Sequence, residues 1–310
     1  MHSSSRTRFL AGVLAVATTM SLAACGASPA DERNTGHGAR ITVGSLDSLE
    51  SRIIARAYGQ ALADHGYLVD YNEAVGGRDS YIEALQAGRI DLVPETSGDL
   101  LYGVDDSAFA RSRDDIDDAL PDAVEEIELH VLEPAPADNA VAFVVTEEFA
   151  EQRQVASIGE LGYLSKEITI GATEGFDDEP YGPAGLLRSY GLSGFDVKAV
   201  ADNGGVGTVG DLLTNSVQVA VIPSTSPAII RNSLRVLGDP KSLITAQNIV
   251  PLVNAQGYTA DVQSIVNEVS QQLTTAELRE LNEQGTASAI PSPESIARDW
   301  LSGKKLIRAD

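Results

Sequence analysis

A four-residue block near the start of the chain, Ile41-Thr42-Val43-Gly44, returns 127 residues later as Ile168-Thr169-Ile170-Gly171. Two more blocks keep the same spacing. Gly77 is matched by Gly204, and Ile90-Asp91-Leu92-Val93 by Val217-Gln218-Val219-Ala220. Three blocks sharing one offset predict two similar lobes, each laid out strand, helix, strand, helix, strand. One undivided sheet would not produce that pattern.

The local periodicity agrees. Residues 41–43 are apolar and β-branched, as in a buried strand. Residues 49–63 carry Ile53, Ile54, Ala57 and Leu62 on or near one helical face, with Gly66 as a stop. A strand is expected at 67–71, a short helix at 79–87 and a strand at 90–93. Near the C-terminus, helices are expected at 261–273 and 274–283. Pro291-Ser292-Pro293-Glu294 then opens a last helix, with Trp300 as a packing anchor. Alternating strands and helices make an α/β chain with parallel or mixed sheets, whose ligands sit beyond the carboxyl ends of strands.

The first 39 residues belong to neither lobe. Arg6 and Arg8 precede an apolar run at 9–22, and Leu22-Ala23-Ala24-Cys25 follows. A basic flank, a short apolar stretch and small residues read as a secretory signal over 1–24. The run is too short for a good transmembrane helix. Cys25, the only cysteine, stands where a bacterial lipobox places the lipidated first residue of a mature protein. Residues 25–39, rich in Gly, Ser, Pro and Asn, read as a flexible tether. The expected location is the extracytoplasmic face of a cell membrane, held by acyl chains on Cys25.

Charge narrows the partners. The chain has 22 Lys+Arg against 45 Asp+Glu, a net charge of −23. Nucleic acid is therefore not an expected partner, because phosphate neutralisation needs basic surface. Catalytic constellations are poorly represented. Of four histidines, His2 and His37 lie in the leader and tether, and His65 and His130 are far apart in sequence. No Gly-x-Ser-x-Gly elbow occurs. Gly205-x-Gly207-x-x-Gly210 matches a dinucleotide fingerprint in spacing but lacks the acidic residue about 20 positions on. It reads instead as a loop and helix start between the lobes. Asp114-Asp115-x-Asp117-Asp118 lacks the glycine and terminal glutamate of a calcium loop. It reads as the polar start of a helix. Neither an enzymatic activity, a metal nor a cofactor is expected.

Several motifs together resemble the substrate-binding subunits of the glycine betaine/choline/carnitine/proline (osmoprotectant) ABC importers. These are Gly44-Ser45 before a Glu50-led helix, and Ala87-Gly88 followed by Ile90-Asp91-Leu92-Val93-Pro94-Glu95. Pro134-Ala135-Pro136-Ala137-Asp138-Asn139 and the late Thr274-Thr275-Ala276-Glu277-Leu278 helix complete the set. The resemblance spans nearly all of the mature chain. It implies a two-lobed type II periplasmic-binding-protein fold, with one lobe over 40–137 and 237–310 and the other over 138–236, hinged near 134–139 and 223–233. It implies a small-molecule ligand in the cleft between lobes and the membrane subunits of an ABC importer as partners. A ligand-free scaffold or sensor lipoprotein on the same fold is the alternative.

The departures fall on the binding site. The family holds a quaternary ammonium among tyrosines. Thr96 stands where Tyr follows its Pro-Glu, Val141 where Thr-Tyr follows its Asn pair, and Pro223 where Tyr precedes its Ser-Thr. Phe176 is followed by Asp177-Asp178, where the family carries a ligand-clamping arginine. Candidate ligand-binding residues are Ser45, Asp47, Arg78, Thr96, Ser97, Asn139, Val141, Phe176, Asp178, Ser224 and Thr225. Arg78 is expected to donate to a carboxylate or hydroxyls, and Asp47 or Asp178 to meet an amine. Tyr102 and Tyr181 lie close in sequence to these positions. The expected solute is small and polar or of quaternary-amine type, with weak binding of glycine betaine itself.

Overall fold

A computed structural model of the chain describes residues 38–254, 259–286 and 291–308. The leader, Cys25 and all but the end of the tether lie outside the described residues. Gly38 already donates its N–H to the Gly66 carbonyl and Ala39 is buried, so the folded body begins two residues before the expected boundary at 40.

Two five-stranded sheets form. The first contains β1 (Arg40–Gly44), β2 (Leu68–Asn72), β3 (Leu92–Thr96), β4 (Leu129–Val131) and β10 (Ile249–Asn254), in the order β2-β1-β3-β10-β4. The second contains β5 (Val141–Thr146), β6 (Thr169–Ala172), β7 (Asp196–Ala199), β8 (Val219–Pro223) and β9 (Leu234–Val236), in the order β7-β6-β8-β5-β9. Three strands of each sheet run parallel, with registers Ile41↔Val69 and Val43↔Leu92 in one and Ile170↔Val197 and Ile170↔Val219 in the other. The fourth strand in each is antiparallel: β10 pairs with β3, and β5 with β8. That strand is the first one the chain makes after crossing from the other lobe. Helices cover both faces of these mostly parallel sheets, so the central strands are buried throughout.

The repeat persists to single atoms. Asp91 Oδ2 accepts the Thr42 N–H at 2.9 Å, and Gln218 Oε1 accepts the Thr169 N–H at 2.9 Å. A Cβ on Gly44 would stand 3.0 Å from Ile90 Cδ1, and one on Gly171 would stand 3.0 Å from Val217 Cγ2. Each pair of contacts is related by the 127-residue offset. The glycine ending each Ile-Thr-x-Gly block leaves room for the apolar residue two positions before β3 or β8.

Helix α1 (Leu49–Asp64) is capped by Ser48, whose side chain accepts the Ser51 N–H. It buries Ile53, Ile54, Tyr58 and Leu62 against α9 (Ala260–Gln272), α10 (Thr275–Gln284) and α11 (Pro293–Lys304). Trp300 lies in this core and donates Nε1 to Glu277 at 2.6 Å, the packing role expected of it. Helix α4 (Arg113–Glu125) starts at the acidic run, with Ser112 as its cap. Gly205 caps α7 (Val206–Leu213), so the glycine-rich segment is a helix start as read.

The crossovers differ from expectation at the second joint. Residues 132–140 make the first crossing. The segment 223–233 does not make the second. It holds the short helix α8 (Ala228–Arg231) and turns back into β9, which pairs with β5. Leu237 and Leu243 pack into the core of the second lobe. The chain therefore leaves that lobe after 243 and enters β10 at 249, beyond the expected boundary at 237. The two crossings pair with each other: Asp138 bridges Asn248, Asn139 N donates to the Gln247 carbonyl, and Asn248 Nδ2 donates to the Ala135 carbonyl at 3.0 Å. Burying Asn248 there satisfies carbonyls that lie outside any sheet ladder.

Candidate functional site: the cleft at the crossovers

The carboxyl ends of β1, β3 and β8 converge on the crossovers. Two cavities meet there and share Asp99 and Asn139. One, of about 160 Å³, is lined by Glu50, Ser51, Arg78, Glu95, Thr96 and neighbours. The other, of about 380 Å³, is lined by Tyr102, Val141, Glu179, Tyr181, Gln247 and neighbours from both lobes. A larger cavity, about 650 Å³, sits among Thr146, Arg153, Ile168, Leu213 and Gln218. Its walls come from one lobe, at the amino ends of β6 and β8, whereas ligands of open α/β sheets sit at the carboxyl ends. The cleft at the crossovers is the candidate site.

The predicted residues take several different roles. Asn139 is central: its Nδ2 donates to Glu50 Oε1 at 2.7 Å and its Oδ1 accepts the Thr225 hydroxyl at 2.9 Å. Asn282 Nδ2 reaches Glu50 Oε2 at 2.6 Å and the Thr225 carbonyl at 3.2 Å. A first-lobe carboxylate, both lobes' loops and a crossover are thus tied in one network. Burial raises the Glu50 carboxyl above its ordinary value, against hydrogen bonds from Asn282 and Thr225 that lower it. Ser224 supports the hinge, donating to the Asp138 carbonyl at 2.6 Å. Ser97 is also structural, accepting the Asn248 N–H at 3.1 Å. Ser45 is buried, with no hydrogen-bond partner for its Oγ among the described residues. Thr96 and Val141 line the cavities as expected.

Four expectations change. Arg78 does line the smaller cavity, but its guanidinium is bound to Glu95 at 3.1 Å and to Tyr81 Oη at 3.1 Å. Glu95 is 3% exposed and also accepts the Tyr81 hydroxyl. Burial lowers the Arg78 value, and Tyr81 and Glu95 more than reverse it. The cation is held by the protein's own carboxylate, which leaves it poorly placed to clamp a ligand's. Asp47 is exposed and ion-paired with Arg52. Asp178 lies exposed in a 3-10 turn, Phe176–Asp178, and lines neither cleft cavity. Phe176 is core: its ring meets Phe143 edge-on at 6.3 Å and Tyr181 at 6.1 Å. It backs Tyr181, and Tyr181 is the ring that lines the cavity.

The residues that sequence reasoning left off the site are Glu50, Asp99, Tyr102, Glu179 and Tyr181. Tyr102 and Tyr181 come from different lobes and line one cavity with Asp99 and Glu179. Burial raises the Tyr181 hydroxyl, and the negative charges of Glu179 and Asp99 raise it further. Among the described residues no lysine, arginine or histidine lines this cavity. Its field favours positive charge. Among the described residues no cluster of His, Cys, Asp and Glu is arranged to hold a metal ion, and no helix is long and apolar enough to cross a membrane.

Comparison with known proteins agrees with this architecture. Over residues 39–303 the chain matches the family described as the substrate binding domain of ABC-type glycine betaine transport systems. It is 22% identical over 316 residues to the glycine betaine-binding protein YehZ of Escherichia coli (strain K12), covering 95% of this chain and 96% of that protein. A crystal structure of a glycine betaine/carnitine/choline ABC transporter superposes with a TM-score of 0.78 at 19% identity, covering 87% of this chain and 99% of the other. Apo YehZ of Escherichia coli superposes at 0.75 and 21% identity, covering 86% and 99%. These likenesses show the two-lobed periplasmic-binding-protein fold. With its sheets, crossovers and cleft in place and 39–303 matched, the chain belongs to the family of substrate-binding domains of ABC-type glycine betaine transport systems.

Proposed function

We propose that this chain is an extracytoplasmic receptor that captures a small organic cation and presents it to the membrane subunits of an ABC importer, anchored through lipid on Cys25. The observation that carries the choice of ligand is the 380 Å³ cavity. It offers two tyrosine rings and two carboxylates and, among the described residues, no basic side chain. A cation over an aromatic face gains about 0.5–2 kcal/mol, and Asp99 and Glu179 add Coulombic attraction. A ligand carboxylate meets the opposite field, and Arg78 is held by Glu95.

Choline and glycine betaine share a trimethylammonium head and differ in that only betaine carries a carboxylate. Isothermal titration calorimetry on the purified protein should find choline bound at least about tenfold more tightly, a difference of about 1.4 kcal/mol. A glycine betaine dissociation constant equal to or below that of choline would overturn the reading. The anchor is tested separately by Cys25→Ala and cell fractionation: the variant should leave the membrane fraction, and unchanged retention would refute the lipid attachment.

A further inference from the structure

A further cavity, about 360 Å³, touches both lobes and both crossovers; it shares Ala140, Val141 and Ile244 with the 380 Å³ cavity but not Asp99, Tyr102, Glu179 or Tyr181. Its charged lining consists of Arg111, Arg113, Asp138, Asp239 and Arg279. Arg113 is paired with Asp117. Arg111 and Arg279 are different. Of the described arginines, only these two and Arg188 hold no carboxylate among the described residues. Arg188 is exposed, whereas Arg111 and Arg279 are half-buried in one cavity. The chain carries 45 acidic residues against 22 basic ones, so carboxylates are plentiful. It nevertheless leaves these two guanidiniums without one.

Each makes a single protein hydrogen bond. Arg111 Nη1 donates to the Leu243 carbonyl at 3.3 Å, and Arg279 Nε donates to the Ser224 carbonyl at 2.7 Å. A guanidinium has five N–H donors, so most of each fork is unused. Burial holds the Arg279 value below that of a free arginine. The two aspartates of the cavity are occupied. Asp138 Oδ1 accepts the N–H groups of Ala140 and Gln247, and Asp239 accepts the Tyr190 hydroxyl and the Ile244 N–H. Neither makes an ion pair with Arg111 or Arg279.

We propose that this cavity is a second ligand site, specific for a small oxyanion gripped by the Arg111 and Arg279 guanidiniums. The ligand class follows from the donors: planar forks match the paired oxygens of a carboxylate, sulfate or phosphate. Arg279 stands on a first-lobe helix, Arg111 precedes α4, and Ser224, Leu237 and Asp239 belong to the second lobe. Occupancy is therefore linked to the arrangement of the lobes, and by reciprocity to binding in the cleft.

The test is calorimetric titration of sodium sulfate into the purified protein at ionic strength held constant with sodium chloride, repeated with sodium acetate to separate inorganic from carboxylate ligands. The expected result is saturable one-site binding of at least one of these anions. Arg111→Gln and Arg279→Gln should each weaken it at least tenfold, and Arg188→Gln should leave it unchanged. Circular dichroism checks folding. If either glutamine variant fails to fold, Arg111→Lys and Arg279→Lys keep the charge, lose the fork and should bind several-fold more weakly. No saturable binding of either anion to the wild type overturns the proposal. So does Arg188→Gln weakening binding as much as the other two, or wild-type affinity in every folded variant of Arg111 and Arg279.

Discussion

Arg78→Ala separates two roles for the basic side chain that lines the smaller cleft cavity. In the structure it neutralises Glu95, 3% exposed, at 3.1 Å. Removing one partner of a buried ion pair costs about 3–5 kcal/mol. Two features reduce that figure. The arginine side chain is itself 32% exposed, and Glu95 keeps the Tyr81 hydroxyl and the Thr96 N–H as donors. The expected loss is about 2 kcal/mol, a fall of roughly 3–4 °C in Tm for a chain of this size. Glu95→Gln should destabilise as well, by removing the anion from beside a half-buried guanidinium. Because the two side chains touch, the double variant should lose less than the sum of the single losses, by about 1 kcal/mol or more. Urea denaturation followed by circular dichroism measures all three. Additivity within about 0.5 kcal/mol would refute the pairing. Calorimetry on folded Arg78→Ala supplies a second arm. An arginine spent on Glu95 leaves choline affinity unchanged or higher when removed, since a negative charge is uncovered. A tenfold loss would show that Arg78 serves the ligand after all.

Three further outcomes follow from named contacts. Tyr181→Leu should weaken choline binding about threefold to thirtyfold, the range for one lost cation–π face; unchanged calorimetric affinity would remove Tyr181 from the site. Gly171→Ala should destabilise by about 1–3 kcal/mol, because the new Cβ meets both methyls of Val217, at 3.0 and 3.3 Å, on a side chain fixed at χ1; an unchanged urea midpoint would contradict this. Glu50 has its carboxyl raised above 4.5 by burial, so it binds its proton more tightly folded than unfolded. Its contribution is fully present below that value and is lost as pH rises through the folded value. Wild type should therefore lose stability relative to Glu50→Gln as pH rises above 4.5; a difference independent of pH would refute the assignment.

Much of the architecture is legible locally. Ile-Thr-x-Gly blocks, helical faces and capping residues are encoded within a few positions, so strands, helices and the two-lobed repeat follow from periodicity. The offset reaches even the Asp91–Thr42 and Gln218–Thr169 bonds, since each joins a strand to the residue just before its parallel neighbour, and the repeat copies both together. The site was less legible. Loops that follow strands supply its predicted members, and that rule picks out Thr96, Asn139 and Val141. It cannot tell Phe176, which faces a core, from Tyr181 five positions on, which faces the cavity.

The sequence by itself determined the number of lobes, the order of their elements and the class of fold, because each rests on patterns a few residues long and on one shared spacing. Only the tertiary structure decided where the chain crosses back, which strand becomes the antiparallel member of each sheet, and which charges remain free in the cleft. These depend on contacts between residues far apart in the chain: β10 against β3, Asn139 against Glu50, Arg78 against Glu95. A side chain's net charge in a site depends on its neighbours in space, and no local pattern specifies those.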